Sequence, residues 1–448
     1  MKNTLITFFF LLIINHLNAQ KTAPTNIKSI QFQSLNKTTF NHIIPLGNTI
    51  ELNFDDLDGD QKEYYYKIEL MTHDWRESNL ISNQYINGFQ SNVIFDVENS
   101  FNTFQNYTHY TVQFPNQNTR ITKSGNYLLS ILDDVGDVVF TRRFTLYENI
   151  ATVGVSVSRS RNTKNMDKEQ TVQFLVNHSR LQINNPSQEI HVAVLQNENW
   201  KTAITNIQPQ FYKPNQLVYN YIKKTNFWGG NEYLFFDNKN IRNASVSIAR
   251  SERKEIVHNY LYPYINRGLK SYSYNPDING QFVIRNIEAT NPKTEADYAM
   301  MYFSLKAGIE IENKEVYVYG AFNNFNLTEE NKMNFDPSTN HYNVNFLLKQ
   351  GFYNYTFITK SSENLISESE IRGNFSETEN VYTVIVYHKA FGSISCRKTF
   401  GLALLMLPNS LDQVTRNTNI KSAPFFISQD INCGLHLFFL EYCAGWYH

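Results

Sequence analysis

The chain has no cysteine between Lys21 and Ser395, so disulfide bonds cannot hold its main body together. The three cysteines all follow that stretch, match no zinc-ligand spacing and contain no C-x-x-C pair: they are Cys396, Cys433 and Cys443. Charged residues are also scarce, at 18%, and 40 basic against 41 acidic side chains leave a net charge of -1. The sequence therefore lacks the basic surface that nucleic-acid binding requires.

Catalytic motifs are missing as well. The chain contains neither G-x-S-x-G nor H-E-x-x-H. The short pattern S-x-x-K occurs at Ser34 to Lys37, Ser251 to Lys254 and Ser395 to Lys398, but it is frequent by chance. Its usual companions, S-D-N and K-T-G, are both absent. We therefore predict that the protein is not an enzyme and needs no cofactor.

Aromatic residues are what the chain has in excess, with 33 Phe and 28 Tyr making up most of its 15% aromatic content. The segment 100–116 carries five rings and no formal charge, and its second half alternates like a half-buried strand. Strands rich in Tyr, Phe, Val, Ile and Thr are typical of β-sandwiches. We predict an all-β protein in which Phe101, Tyr107, Tyr110 and Phe114 pack the first core.

Strand-like alternation recurs along the chain and predicts two to three immunoglobulin-like β-sandwich domains in tandem. We place an N-terminal β-sandwich at residues 26–148, a second β domain at 149–292 and a C-terminal β-sandwich at 293–394. From 395 to 448 the character changes, and the apolar run 402–407 shows no strand alternation. This poorly ordered tail is either a genuine appendage or the product of a disturbed reading frame, and we favour the second.

The first 19 residues predict a signal peptide. Lys2 supplies a positive start, residues 5–14 form an almost unbroken apolar run, and Ala19 precedes a cleavage point at Gln20. The run is too short for a membrane span, and no cysteine follows the cleavage point to carry a lipid. We predict an exported, periplasmic protein, with an uncleaved N-terminal anchor as the alternative.

One acidic cluster resembles part of a calcium loop. Asp56, Asp58 and Asp60 occupy the first, third and fifth positions of such a loop. Calcium loops also need glycine at the sixth position and a bidentate glutamate at the twelfth, where this chain has Gln61 and Lys67. We interpret the cluster as a solvated acidic turn and predict no metal site.

His73, Asp74 and Trp75 bring an imidazole, a carboxylate and an indole together in the sequence. A hydrolase would also need a nucleophile, and only folding could bring Ser100 and His109 to this group. We instead predict a structural role, with Trp75 in a core and Asp74 in a turn.

The run V-Y-V-Y-G-A-F-N-N-F-N at residues 316–326 resembles the opening of glycogen-binding-type sandwiches. In those modules exposed rings stack on sugars. The resemblance implies Tyr319, Phe322 and Phe325 as sugar-stacking residues. The alternative is that these rings are buried, as rings in strands usually are.

Several short phrases follow one another along the chain: 74–78 (DWRES), 84–89 (QYINGF), 100–116, 123–127 (KSGNY), 141–144 (TRRF), 228–232 (WGGNE), 277–280 (DING), 296–298 (ADY), 348–355 (LKQGFYNY) and 377–380 (ETEN). In this order they resemble the type IX secretion system plug proteins of Bacteroidetes, over residues 26–392. Two departures stand out. The family usually has a His-Cys pair shortly before the Trp motif, where this chain has Met71-Thr72-His73, and it ends soon after an F-G-x-R-Y-D-like phrase, where this chain reads FGSISC.

The resemblance implies a non-enzymatic periplasmic plug or accessory subunit, which closes the periplasmic mouth of the type IX outer-membrane translocon barrel when no cargo is passing. Its partner would be that barrel, with no nucleic acid, membrane span or small-molecule substrate. Such a plug needs bulk, a rigid scaffold and a reversible interface, which polar and aromatic surfaces provide. The contact residues are left undefined, and a periplasmic carbohydrate-binding β-sandwich protein is the alternative.

Overall fold

The computed structural model describes residues 20–35, 42–268, 270–307, 311 and 313–389, together with the backbone of 398–406. The predicted signal peptide and most of the predicted tail lie outside these residues. Nearly all regular elements in the described part are strands, which confirms the prediction of an all-β protein built from sandwiches. None of its helices is both long enough and apolar enough to cross a membrane.

The first sandwich spans residues 27–147. Its strands are β1 (Ile27–Ser34), β2 (Ile43–Pro45), β3 (Ile50–Asp56), β4 (Tyr65–Met71), β5 (Ile86–Gly88), β6 (Ser91–Val93), β7 (Asp96–Asn99), β8 (Thr108–Phe114), β9 (Thr119–Ile121), β10 (Gly125–Leu132) and β11 (Val138–Tyr147), with a 3-10 turn at Ser82–Gln84. One sheet has the order β1-β3-β8-β7 and the other β2-β11-β10-β4-β6, while β5 and β9 form a small ribbon. The two sheets face each other across a shared core.

Aromatic side chains fill the core of the first sandwich. The Phe54 ring stacks on Tyr110 at 5.0 Å between centroids and meets Phe140 of the opposite sheet edge-on at 5.3 Å. Phe114 is 1% exposed and makes a similar edge contact with a ring of the facing sheet. The predicted core positions of Tyr110 and Phe114 are thus confirmed, but Phe101 is 71% exposed, so that part of the prediction is wrong.

The second and third sandwiches follow. The second begins with β12 (Thr152–Arg159), β13 (Glu169–Asn177), α1 (Pro186–Glu189), β14 (Ile190–Gln196), a 3-10 turn (Trp200–Thr202), β15 (Ile204–Thr205), β16 (Phe211–Lys213), β17 (Gln216–Tyr219) and β18 (Asn226–Trp228). The third contains β19 (Leu234–Asp237), β20 (Ile248–Arg253), β21 (Val257–Leu261), β22 (Tyr264–Ile265), β23 (Phe282–Ile284), α2 (Pro292–Glu295), β24 (Tyr298–Lys306), β25 (Lys314–Tyr319), a 3-10 turn (Ala321–Asn323), β26 (Lys332–Asp336), β27 (His341–Lys349), β28 (Gly351–Ser361), β29 (Ile366–Ser367) and α3 (Ser369–Arg372). The last strands of the described residues are β30 (Val381–His388) and β31 (Lys398–Met406).

The third sandwich is one continuous sheet folded over its own core. Its main strand order is β19-β28-β25-β26-β27-β24-β21-β20, with β22, β23 and β29 attached at the side. Phe236 on β19 and Phe303 on β24 have four strands between them in this order, yet their ring centroids are 5.9 Å apart. The sheet must therefore curl until its two halves face each other, as in a sandwich.

The second sandwich is discontinuous in sequence. Its sheets are β12-β13-β17-β16, with β18 beside β13, and β15-β14-β30-β31. Strand β30 pairs antiparallel with β14 across almost two hundred residues, and β31 pairs with β30. The third sandwich is thus inserted into the second.

This insertion corrects the predicted boundary at residue 292. Strands β19 and β23, predicted in the second domain, pair with β28 of the third, and β30, predicted in the third, belongs to the second. Part of the predicted tail also forms strand β31, which the sequence did not indicate. Alternation reveals a strand but not its partner, because pairing joins residues distant in sequence.

Two chain segments cross between the second and third sandwiches and run side by side. The Phe375 amide donates to the Gly230 carbonyl at 2.9 Å, and the Gly230 amide donates to the Asn374 side chain at 2.7 Å. The Asn380 side chain donates to the Gly229 carbonyl at 2.8 Å. The family phrases WGGNE and ETEN therefore belong to these two crossing segments.

We predict that Gly229→Ala destabilises the protein by about 1–3 kcal/mol through overpacking. A Cβ at this position would lie 1.9 Å from the Phe375 carbonyl oxygen, so the two crossing segments would have to separate. Gly154→Ala is the matched control, because its Cβ would meet only Leu175 at 3.5 Å. Urea unfolding measures both variants, and an equal loss in the two would contradict the prediction.

Candidate functional site at the junction of the first and third sandwiches

The ring-rich segment between β7 and β8 leaves the first core and packs against the third sandwich. The Tyr107 hydroxyl donates to the Ala296 carbonyl at 2.8 Å, and the Phe101 amide donates to the Thr294 carbonyl at 3.0 Å. Tyr107 and Tyr298 meet edge-on, with centroids 5.4 Å apart. Tyr107 is therefore buried as predicted, but between two sandwiches rather than inside one.

Asp297 fixes the backbone of this segment. Its carboxylate accepts hydrogen bonds from the amides of Phe104 at 2.7 Å and Gln105 at 3.1 Å. It also accepts from the amide of Tyr298 at 2.8 Å, at the start of β24. One side chain of the third sandwich thus satisfies two amides of a loop of the first, which holds the loop in place.

A buried ion pair lies at the centre of the junction. Asp55, at the end of β3, accepts hydrogen bonds from Lys349 at 2.7 Å and Tyr298 at 2.6 Å, and its other oxygen lies 2.5 Å from His109 Nδ1. The side chains of Asp55 and Lys349 are 0% and 1% exposed. The Lys349 ammonium also lies 4.0 Å from the ring centre of Tyr107, a cation–π contact.

The partners of the pair set its ionisation. Burial raises the pKa of Asp55, but the Lys349 charge and the His109 hydrogen bond outweigh burial and hold the pKa below its ordinary value. Burial lowers the pKa of Lys349, and the Asp55 carboxylate offsets this only in part. The Asp297 carboxylate also raises the pKa of Lys349, but the nearby Lys293 charge lowers it, so burial prevails at Lys349.

Histidine, aspartate, tyrosine and lysine together could serve acid–base chemistry in an open cleft. Here the side chains of Asp55 and Lys349 are sealed from solvent, and their polar atoms already bind protein groups. No substrate could reach them without separating the two sandwiches. The arrangement supports a structural role, in which buried charges fix how the first sandwich sits on the third.

The His73-Asp74-Trp75 phrase lies where the first sandwich meets the second. The rings of His73 and His191 stack at 3.8 Å, and Trp75 meets Trp200 edge-on at 4.9 Å. Burial and the neighbouring His191 lower the pKa of His73 to about 4, so the imidazole is neutral at pH 7 and can stack. Trp75 therefore packs between two sandwiches and not within one core, which corrects the prediction for Trp75.

Asp74 accepts a hydrogen bond from the nearby Thr72 hydroxyl at 2.5 Å, within a turn as predicted.

The structure does not assemble the hydrolase alternative. His109 binds Asp55, and the Ser100 hydroxyl oxygen accepts a hydrogen bond from the Tyr107 amide at 3.0 Å. Neither residue joins His73, which stacks on His191. Among the S-x-x-K serines, Ser251 donates to a backbone carbonyl. Lys37 and Ser395, from the two other copies of the pattern, lie outside the described residues.

The three aspartates of the calcium-loop pattern do come together at the end of β3. Between them lies the Lys62 ammonium, 3.0 Å from Asp56 and 3.4 Å from Asp60 and also paired with Asp58. The lysine thus occupies the position that a cation would take. In addition, Gln61 stands at the position where a calcium loop needs glycine.

The proposed sugar-stacking rings are largely inside the protein. Tyr319 and Phe325 are 2% and 8% exposed, and the Tyr319 hydroxyl accepts a hydrogen bond from Asn199 at 3.0 Å. Phe322 is half-buried, with its ring 5.9 Å from that of Phe346. Sugar stacking needs a free ring face, so the burial of Tyr319 and Phe325 corrects their assignment to this role.

We predict that Lys349→Met destabilises the protein by about 3–5 kcal/mol, because it leaves the Asp55 charge buried without its main partner. Lys314→Met is the matched control: Lys314 pairs with Glu370 at 2.7 Å, but both side chains are about one-third exposed. That pair is expected to contribute about 0–1 kcal/mol. Urea unfolding measures the free energy of unfolding of both variants. A similar loss of stability in the two would contradict the prediction that the buried pair contributes more than the exposed one.

The lowered pKa of Asp55 predicts a specific pH dependence. A carboxylate with a lowered folded pKa stabilises the protein above its unfolded pKa of about 3.9, and that contribution disappears as pH falls through the folded pKa. The stability difference between the natural protein and Asp55→Asn should therefore stay constant from pH 7 to about 5 and shrink at lower pH. Asp134→Asn, on an exposed loop, is the control. A constant difference down to pH 3 would contradict the prediction.

Comparisons with known proteins show which family and which solved structure this chain resembles. Residues 27–148 match the family model described as "Type 9 secretion system plug protein 1st domain", which covers the whole first sandwich. No curated protein matches the chain. A crystal structure of a hypothetical protein from Parabacteroides merdae ATCC 43184 is similar over 87% of this chain and 99% of its own, with 28% identity and a TM-score of 0.82. Residues 27–148 of this chain are therefore a first domain of the type 9 secretion system plug family.

Proposed function

We propose that this protein is a non-enzymatic periplasmic plug, or accessory subunit, that closes the periplasmic mouth of the type IX outer-membrane translocon barrel when no cargo is passing. The family match of residues 27–148 carries the proposal, since it associates the first sandwich with the secretion machinery. The predicted signal peptide supports export to the periplasm. A pore wide enough for folded cargo would leak when idle, so it needs a removable block.

The way the sandwiches are joined supports such a role. A plug must resist deformation when it seals a wide opening, and this body has no cysteine before Cys396 to cross-link it. Its stiffness comes instead from buried junctions such as the Asp55–Lys349 pair and from two crossing segments between the second and third sandwiches. Because several junctions each resist bending, we expect the three sandwiches to move as one rigid body.

Two exposed apolar side chains of the first sandwich are available for an interface. Phe95 is 76% exposed and Val135 is 83% exposed. Leu132 is the last residue of β10 and Val93 is the last residue of β6. Both pair with Tyr65, the first residue of β4, which lies between these two strands. Phe95 and Val135 follow these strand ends, so both lie at the same end of one sheet. Exposed apolar and aromatic groups of this kind suit the centre of a protein interface, and we assign them to the barrel contact.

Affinity purification from native outer membranes in mild detergent tests the proposal. The tagged full-length chain should retain the translocon barrel, and absence of the barrel would contradict the plug role. The double variant Phe95→Ser with Val135→Ser should lose at least tenfold in barrel recovery. Phe211→Ser is the matched control, because Phe211 is 54% exposed on the second sandwich. Equal recovery of the double variant and the control would reject the assigned contact surface while leaving the plug role intact.

A further inference from the structure

A cavity of about 80 Å³ lies where the three sandwiches meet. Each sandwich contributes to its wall, with Arg142 and Arg143 from the first, Glu198 and Lys201 from the second, and Phe325 from the third. One buried water needs only about 10–15 Å³ of such space. The cavity could therefore hold several waters or one small polyatomic ion.

The Arg142 guanidinium is a buried cation at this cavity. The residue is 8% exposed, and its Nη1 donates to the Thr141 carbonyl at 2.9 Å. No carboxylate of the described residues lies within ion-pair distance of it. Burial lowers the pKa of Arg142 to about 10, which still leaves the group charged at pH 7. A buried charge without a counter-ion costs free energy, so an anion here would be stabilising.

Two further cations line the same cavity. The Lys201 ammonium donates to the Phe325 carbonyl and, at 2.6 Å, to the Asn326 side chain, so its partners are neutral oxygens of the third sandwich. The Arg143 guanidinium packs 4.5 Å above the Trp75 ring. The Lys201 contacts hold its ammonium in place without neutralising it, because both partners are uncharged oxygens.

Glu198 is the acidic residue of the cavity wall. Its side chain is 14% exposed and lies 4.0 Å from His42 Nδ1, and its Oε2 has no hydrogen-bond partner among the described residues. Burial raises the pKa of Glu198 to about 8, and a backbone hydrogen bond from His42 opposes this only in part. At pH 7 the carboxyl is therefore mostly protonated, and the cavity keeps a net positive charge.

We propose that this cavity binds a small oxyanion, a carboxylate or a phosphate, held by Arg142 and Lys201. Guanidinium groups pair with both anions through two parallel hydrogen bonds, and an ammonium adds a compact charge. A protonated Glu198 can donate its hydroxyl to the same anion. Because Arg142 belongs to the first sandwich and Lys201 connects the second to the third, the bound anion would link all three. This site does not depend on the plug role.

Calorimetric titration and thermal unfolding of the full-length chain at pH 7 test the site. Sodium phosphate and sodium acetate are compared with sodium chloride at equal ionic strength, so that general salt effects cancel. We expect saturable binding of one oxyanion and a rise in unfolding temperature that saturates with it. Binding of phosphate alone would identify a phosphate site, and binding of acetate alone a carboxylate site. No saturable binding of either would overturn the proposal.

Variants locate the bound anion. Arg142→Met should lower the affinity at least tenfold, whereas Arg180→Met, on an exposed turn of the second sandwich, should leave it unchanged. Lys201→Met is a second test that avoids a buried substitution, and it should also weaken binding. Glu198→Gln keeps a hydrogen-bond donor and removes the acid, so binding should be equal or tighter. Loss of binding in Glu198→Gln would indicate that the cavity selects a cation and would overturn the proposal.

Discussion

The ion pair between Asp55 and Lys349 is the contact on which the arrangement of the sandwiches depends. Both charges are sealed from water, so each needs the other and the separation of the two sandwiches would expose an unpaired charge. Tyr107 and Tyr298 close over the pair and exclude solvent. The pair therefore enforces one orientation: a small rotation would break several short hydrogen bonds at once, whereas purely apolar contacts could slide.

The insertion of the third sandwich into the second has a mechanical consequence. A single linker leaves two domains free to rotate, but here two segments cross together and bond to each other at Gly230 and Phe375. Contacts at the junction of the first and third sandwiches then close a ring of three bodies. Closed rings of this kind resist hinge motion, which suits the plug role that we propose.

The two buried charged regions differ in how their charges are balanced. At Asp55 the opposite charges meet directly within the protein, so the junction is complete by itself. At the central cavity, the hydrogen bonds of Arg142 and Lys201 go to neutral oxygens, Arg142 also lies over the Phe140 ring, and Glu198 is held largely uncharged by burial. The first arrangement stabilises a fixed interface, while the second leaves a charge for an outside group to neutralise.

The sequence by itself determined the all-β class, the disulfide-free body, the core positions of Tyr110 and Phe114 and the ordered phrases of the plug family, because alternation and residue type report local burial. Only the tertiary structure decided that β30 returns to the second sandwich, that residues 101–107 join two bodies, and that Tyr319 is buried. The Asp55–Lys349 pair also escaped sequence reasoning, since nothing local indicates that residues 294 positions apart share one buried site. Strand partners and domain contacts are properties of distant residues, and a single sequence carries no local signal for them.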